Sequence, residues 1–355
     1  KKLIVASDAL GAKSLVRKIA SWGVKVDYLP YRDDMLIARK RFSEQGMHER
    51  ICTLRDIAFG QADTVVTSAD SLLQLFPKRE LVKKYTVCVK KEDVISPQSL
   101  ADKLAIAGYK RQAMVADAGD FSVRGDIVDV CDVSGVAYRI NFFDELVENI
   151  KVIDVETMLA SNEVERVSFA PTSDILLDEK GYDYARERLS LYPENKNAQQ
   201  AKELLSVGAC DSSAVWALPF LKNCTSNVFD FFDDDRPTLV IFDEPRVVSD
   251  KLQILEKEFS GRIKTLCEGG EILDEHKDVC ISLHEVKRQL IFVRKMGFAS
   301  LSLDNRLFEP KYIIEPKTRP VTKYYLDPSV MVQDLKNFAL NGMKVVMACG
   351  GREQA

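Results

Sequence analysis

Residues 108–155 read GYKRQAMVADAGDFSVRGDIVDVCDVSGVAYRINFFDELVENIKVIDV, three runs of β-formers separated by turn residues. Successive side chains of a strand point to opposite sides. Tyr138, Ile140 and Phe142 therefore share one face, and Arg139, Asn141 and Phe143 the other. Upstream, Phe121 and Val123 alternate with Ser122 and Arg124, then Gly125-Asp126 interrupts the phase before Ile127-Val128-Asp129-Val130 resumes it. That interruption predicts a bulge or a close backbone approach at Gly125. Asp132-Val133-Ser134-Gly135 has the chemistry of a hairpin turn. The outward face of such a sheet carries Arg124, Arg139 and Phe143.

Two readings of that face stand side by side. One is a solvated sheet surface with a single aromatic left out, which is common in globular proteins. The other is a protein-binding hot spot, since an aromatic flanked by arginines is the composition of interface anchors. Arg124-Gly125-Asp126 is also an adhesion-type tripeptide, but so short a match recurs by chance.

The 355 residues leave room for two or three domains, and 46% hydrophobic with 29% charged residues is ordinary globular composition. A net charge of -4 argues against a surface that tracks nucleic acid throughout, while leaving a local basic patch open. The eight cysteines are scattered, with no Cys-x-x-Cys and no histidine at zinc spacing. Cys88, inside an apolar strand-like run, reads as a small hydrophobe. Reduced thiols in a cytoplasmic protein are expected. No apolar run approaches the ~20 residues of a membrane-spanning helix.

The chain opens with a strand over residues 2–6 and a helix over residues 14–20, a βα unit. Between them Leu10-Gly11-Ala12-Lys13-Ser14 invites comparison with a phosphate loop, whose glycines let backbone N–H groups cradle phosphate. Aligning Lys13-Ser14 puts Ala12 and Ser7 where both glycines belong, so the mechanism is missing. Residues 26–30 predict a strand, and the charged run 32–50 a solvated helix face or loop. Helices follow at 51–59, 71–75 and 97–108, the second with Ser68 or Asp70 as cap and Pro77 as stop, the third closed by Gly108; residues 64–67 form a strand. Residues 182–191 and 198–205 are helical by apolar spacing.

An apolar strand over 238–242 ends in Asp243-Glu244, the way a Walker B carboxylate is presented to Mg²⁺. Without a phosphate loop, acids capping the next helix are the simpler reading. The run Phe229 to Asp235 matches no cation-ligand spacing and reads as a turn. His48, His276 and His284 lack partner patterns and are expected at the surface or in loops, and no Gly-x-Ser-x-Gly nucleophile motif appears. Residues 311–314, 320–325 and 344–351 suggest strands and 330–340 an amphipathic helix. A chain that opens on Lys1 and stops just past a strand and turn reads as part of a longer protein.

GYKR, GDFSVRGDIVDV and YRINFFDELVENIKVIDVET together closely resemble the second domain of the bacterial transcription-repair coupling factor (Mfd) family, a region shared with the excision-repair protein UvrB. The resemblance covers residues 1–174 well and the remainder loosely. It places Glu49, Arg50 and Leu54 on an arginine–leucine signature of the family's first domain, which is similar in fold to UvrB and has lost the ATPase motifs. The implied fold class is α/β: a degenerate helicase-like (P-loop NTPase-like) parallel-sheet domain built from residues 1–82 and 172–318. An inserted β-rich α+β domain over 83–171 interrupts it, and a further α/β domain begins at 319–355.

The resemblance also implies a function, recruitment of the excision-repair protein UvrA to stalled RNA polymerase in transcription-coupled nucleotide excision repair. Arg124, Arg139 and Phe143 fall where the family's residues face UvrA. No catalytic, metal or cofactor residues are expected within this stretch. ATP, Mg²⁺, RNA polymerase and double-stranded DNA would belong to downstream domains of a cytoplasmic translocase. Two departures bear on partner geometry: the hairpin turn is shorter than is common in the family, and Asn141 stands where an acid is usual. A UvrB-type helicase subunit is the alternative; it requires a nucleotide loop before Lys1 and an intact acid box, and Pro245 stands where such helicases carry Ala, Ser or Cys. A third reading is an unrelated α/β interaction protein that kept only the sheet module.

Overall fold

Five short runs pair as an all-parallel sheet in the spatial order Lys295–Ala299, Leu239–Asp243, Lys2–Ala6, Thr64–Ser68, Asp27–Leu29. This is a computed structural model that describes residues 1–32, 44–232, 238–293, 295–299, 311–314 and 328–346. Thr64–Ser68, Thr-Val-Val-Thr-Ser, is buried at all five positions, as a strand of a parallel sheet covered on both faces must be. Its Val and Thr side chains are β-branched and already restricted at χ1, which suits them to that place. Asp8 caps the helix Ala9–Ser21 by accepting the Gly11 N–H at 2.8 Å, so Leu10 to Ser14 lie inside a helix and form no phosphate loop. Lys13 rests its ammonium 5.4 Å from the centre of the Tyr28 ring.

A second, six-stranded sheet runs Ala160–Val164, Leu146–Ile153, Ala137–Phe143, Ile127–Cys131, Asp120–Arg124, Lys110–Arg111. Its pairs are antiparallel except the last. One face of this sheet buries Phe121, Val128, Val130, Ile140 and Phe142 in a core continuous with Leu3, Leu54 and Val65 beside the parallel sheet. Val87–Lys90 and Arg166–Phe169 flank the second sheet in sequence and pair with each other, with Val87 opposite Phe169. Just inside, the helix Pro97–Ile106 ends at Gly108, where φ is +91° and an added Cβ would lie 2.2 Å from the Thr172 hydroxyl oxygen. Only glycine fits that close crossing.

Beyond the crossing sits Asp174, whose Oδ2 accepts from Arg32 Nη2 at 2.5 Å and from Arg50 Nε at 2.6 Å. All three side chains are buried. Burial alone would raise the Asp174 carboxyl; the facing guanidinium groups outweigh it and hold the group well below the ordinary carboxylate range. The charged run 32–50 is thus not simply solvated: its two ends are buried, and residues 33–43 lie outside those described. Gln74 adds to the clamp, its Oε1 accepting the Arg32 N–H at 2.7 Å and its Nε2 donating to the Arg32 carbonyl at 2.8 Å.

That clamp holds Gln74 in extended backbone bridged to Cys280, so the helix expected over 71–75 is a single turn, Ala69–Leu72. His276 is buried, not superficial. Its ring lies 4.6 Å from Trp216, with Nδ1 accepting from Leu273 N and Nε2 3.1 Å from the Trp216 carbonyl. Cys88 lies in a strand as read, but its side chain is exposed, because Val87 and Val89 take the inner face. Phe229, Phe231 and Phe232 are buried around the 3-10 turn Val228–Phe231, and Asp233 to Asp235 lie outside the described residues.

Residues Pro310–Ala355 form a separate compact unit. Its helix Pro328–Leu340 fits the amphipathic spacing, whereas 311–314 are not in a strand. The strands expected over 320–325 and at the end of 344–351 fall outside the described residues.

The two buried ionisable centres separate on the pH axis. His276 is pushed down by burial to about 4, so its stabilising neutral form is lost as pH falls from the unfolded value of about 6.5 toward 4, worth roughly 3 kcal/mol. Asp174 has a lowered folded value, so its contribution is present above the unfolded pKa of about 3.9 and lost below it. Urea unfolding against pH should show both phases. His276→Gln should flatten the first and Asp174→Asn the second, and the latter should cost about 3–5 kcal/mol at neutral pH by leaving two buried cations.

Candidate protein-docking face

Arg124 pairs directly with Ile127, so Gly125-Asp126 is a two-residue hairpin turn and not the bulge expected within one strand. Gly125 has φ +59°, the positive angle that a tight hairpin demands at its first central position. The turn reverses the chain while keeping the phase, and Ser122 comes to lie opposite Asp129. On the other side Asp129 pairs with Arg139. The second hairpin closes as expected, with Asp132 N–H donating to the Val136 carbonyl at 2.9 Å and Gly135 at φ +85°.

Asp129 is fully buried, and both arginines converge on it. Arg139 donates from Nε to Oδ1 at 2.7 Å and from Nη2 to Oδ2 at 3.0 Å; Arg124 donates from Nη2 to Oδ2. These hydrogen bonds push the Arg139 guanidinium above its ordinary value, against the smaller opposing effect of burial. Side-chain exposure is 47% for Arg124 and 21% for Arg139, so Arg124 is the more available of the two.

Further along the same face Asn141 donates from Nδ2 to Asn149 Oδ1 at 2.7 Å. Phe143 ends the strand 75% exposed, paired with Leu146 across a turn in which Asp144 adopts φ +60°. Leu146 bridges in turn to Val94, which is 76% exposed. Partners in a ladder point to the same side. The three predicted residues Arg124, Arg139 and Phe143 thus share one face, with an apolar end of Val94, Phe143 and Leu146 and a charged end built on Asp129.

Asp129, Leu146 and Val94 were not anticipated as part of this face. A lone acid between Val128 and Val130 is the signal that could have found Asp129, because a buried carboxylate requires a cation. Nothing in the sequence announces Val94, which arrives from outside the sheet's own strands.

The other candidate, the strand end Asp243-Glu244, is arranged differently from expectation. Glu244 occupies the cap position of the helix Pro245–Glu268 with φ +53° and makes no side-chain capping bond. Pro245 at the first helical position removes one N–H that a cap would serve. Burial, then the neighbouring Glu244 charge, pushes the Asp243 carboxyl up.

The β-rich module with its exposed aromatic and anchored arginines lies within residues 87–174, which match the UvrB interaction domain family. The chain as a whole is similar to transcription-repair-coupling factors. It is 23% identical to that of Staphylococcus epidermidis over 91% of this chain and 29% of the relative, and 23% identical to that of Staphylococcus aureus over 90% and 28%. The chain therefore spans about three-tenths of the length of the curated relatives it matches. No helix among the described residues is long and apolar enough to cross a membrane.

The register of the charged end depends on the first hairpin. Gly125→Ala has space for its Cβ but must adopt a left-handed conformation. It should lower stability by about 1 kcal/mol in thermal unfolding, without the larger loss of a core truncation.

Proposed function

We propose that the outward face of the second sheet recruits the excision-repair protein UvrA, and that the chain is the UvrB-like module of a coupling factor acting in transcription-coupled nucleotide excision repair. The observation that carries this is Phe143, three-quarters exposed at the end of a face that also presents Arg124 and Arg139, inside the segment that matches the UvrB interaction domain family. An exposed aromatic beside oriented guanidinium groups is the arrangement of a binding hot spot, the ring filling an apolar pocket and the arginines taking carboxylates. The docking domain spans 83–171, set into a helicase-like domain formed by 1–82 and residues from 172, and the further domain expected from 319 falls within the separate unit Pro310–Ala355.

This stretch neither binds nor hydrolyses ATP on that reading. Where phosphate would meet the first helix, the Asp8 carboxylate already accepts the Gly11 N–H, and the negative charge of an acid at that position disfavours a polyanion. ATP, Mg²⁺, double-stranded DNA and RNA polymerase engage other parts of the cytoplasmic parent protein.

Calorimetric titration with UvrA tests the proposal. Wild-type binding is expected, with Phe143→Ala and Arg124→Ala each weakening it by about 1–3 kcal/mol while circular dichroism stays unchanged. Equal affinity in all three proteins would remove this face from the interaction.

A further inference from the structure

Asp129 is the residue through which the two arginines are held, and we infer that it positions them for a partner surface offering a carboxylate and, further along, an apolar side chain. The inference rests on the recruiting role proposed above. Within the cluster two cations and one fully buried anion leave a net charge of one, and Lys151, opposite Arg139 on the next strand, adds a further cation to this end of the face. Arg139 has Nε and Nη2 engaged with Asp129 and keeps its Nη1 edge; Arg124 has one Nη2 bond to Asp129 and a side chain nearly half exposed. A partner carboxylate matches both the residual positive charge and the free donors. The neutral Asn141–Asn149 pair separates this end from Phe143, Leu146 and Val94. Arg139 and Phe143 lie four residues apart on one strand, so the partner's apolar side chain must sit roughly 13 Å along the strand direction from its carboxylate.

Positioning and simple charge make opposite predictions for Asp129→Asn. If Asp129 only neutralised the arginines, its removal would raise the positive charge facing an acidic partner and tighten binding. If it holds their geometry, both guanidinium groups swing free and binding weakens despite the added charge, because long side chains must then be ordered on association.

The experiment is titration of the full chain with UvrA at two salt concentrations. For Asp129→Asn, with its fold checked by circular dichroism, the expected result is at least about tenfold weaker binding and a steeper salt dependence than wild type. Unchanged or tighter binding overturns the inference and leaves the recruiting role standing, whereas wild type that does not bind UvrA removes both. Should Asp129→Asn fail to fold, Arg139→Lys replaces it: the charge is kept and the two-point grip on Asp129 is lost. It should weaken binding more than Arg124→Lys, which gives up a single bond, and the reverse order overturns the inference.

Discussion

A carboxylate between two buried guanidinium groups ties three separate parts of this chain to one point. Arg32 follows the second strand of the parallel sheet, Arg50 lies in the helix Glu44–Ala58, and Asp174 stands just past the return from the antiparallel module. Desolvating three charges is costly, and such a cluster stabilises less than the Coulomb attraction suggests. What it supplies is specificity. Any arrangement that draws Asp174 away leaves two cations in a nonpolar interior, so the return path of the chain is fixed more sharply than apolar packing alone would fix it.

A second set of polar contacts continues the attachment along the same helix. Arg55 donates to the Ser168 carbonyl at 2.9 Å and lies 3.6 Å from Asp132, while the Tyr109 hydroxyl is 2.9 Å from Asp132 and 2.8 Å from the Ala170 carbonyl. Burial, then the Asp132 charge, raises the Tyr109 phenol well above its ordinary value, which keeps it protonated as a donor. The inner end of the module is anchored, and its outer hairpins carry Phe143. Rigid support behind an exposed aromatic lowers the ordering cost of binding.

Much of this was legible in sequence. Period-two alternation over Ala137–Phe143 assigned Tyr138, Ile140 and Phe142 to the inner face and Arg139 and Phe143 to the outer one, because the buried side of an antiparallel sheet tolerates no slip of register. The missing glycines around Lys13 agree with the helix Ala9–Ser21 that the segment forms. What could not be read was long-range pairing of charge. Arg32 and Arg50 look like members of a solvated run because a burial partner more than a hundred residues away leaves no local trace. The same holds for His276, whose ring is enclosed by Trp216 and Phe220. Gly125-Asp126 failed differently: both a bulge and a two-residue hairpin use a glycine with positive φ, and only the pairing of Arg124 with Ile127 decides between them.

The meeting of Val87 with Phe169 has a consequence for how such a chain can be assembled. Eighty-odd residues leave and return at neighbouring positions of one strand pair. The entropy of closing a loop depends on bringing its ends together, and here a ladder already does so. To the parallel sheet the entire antiparallel module is topologically equivalent to the tip of a hairpin. A unit joined in this way can be gained, lost or exchanged between proteins with little disturbance to the sheet that carries it.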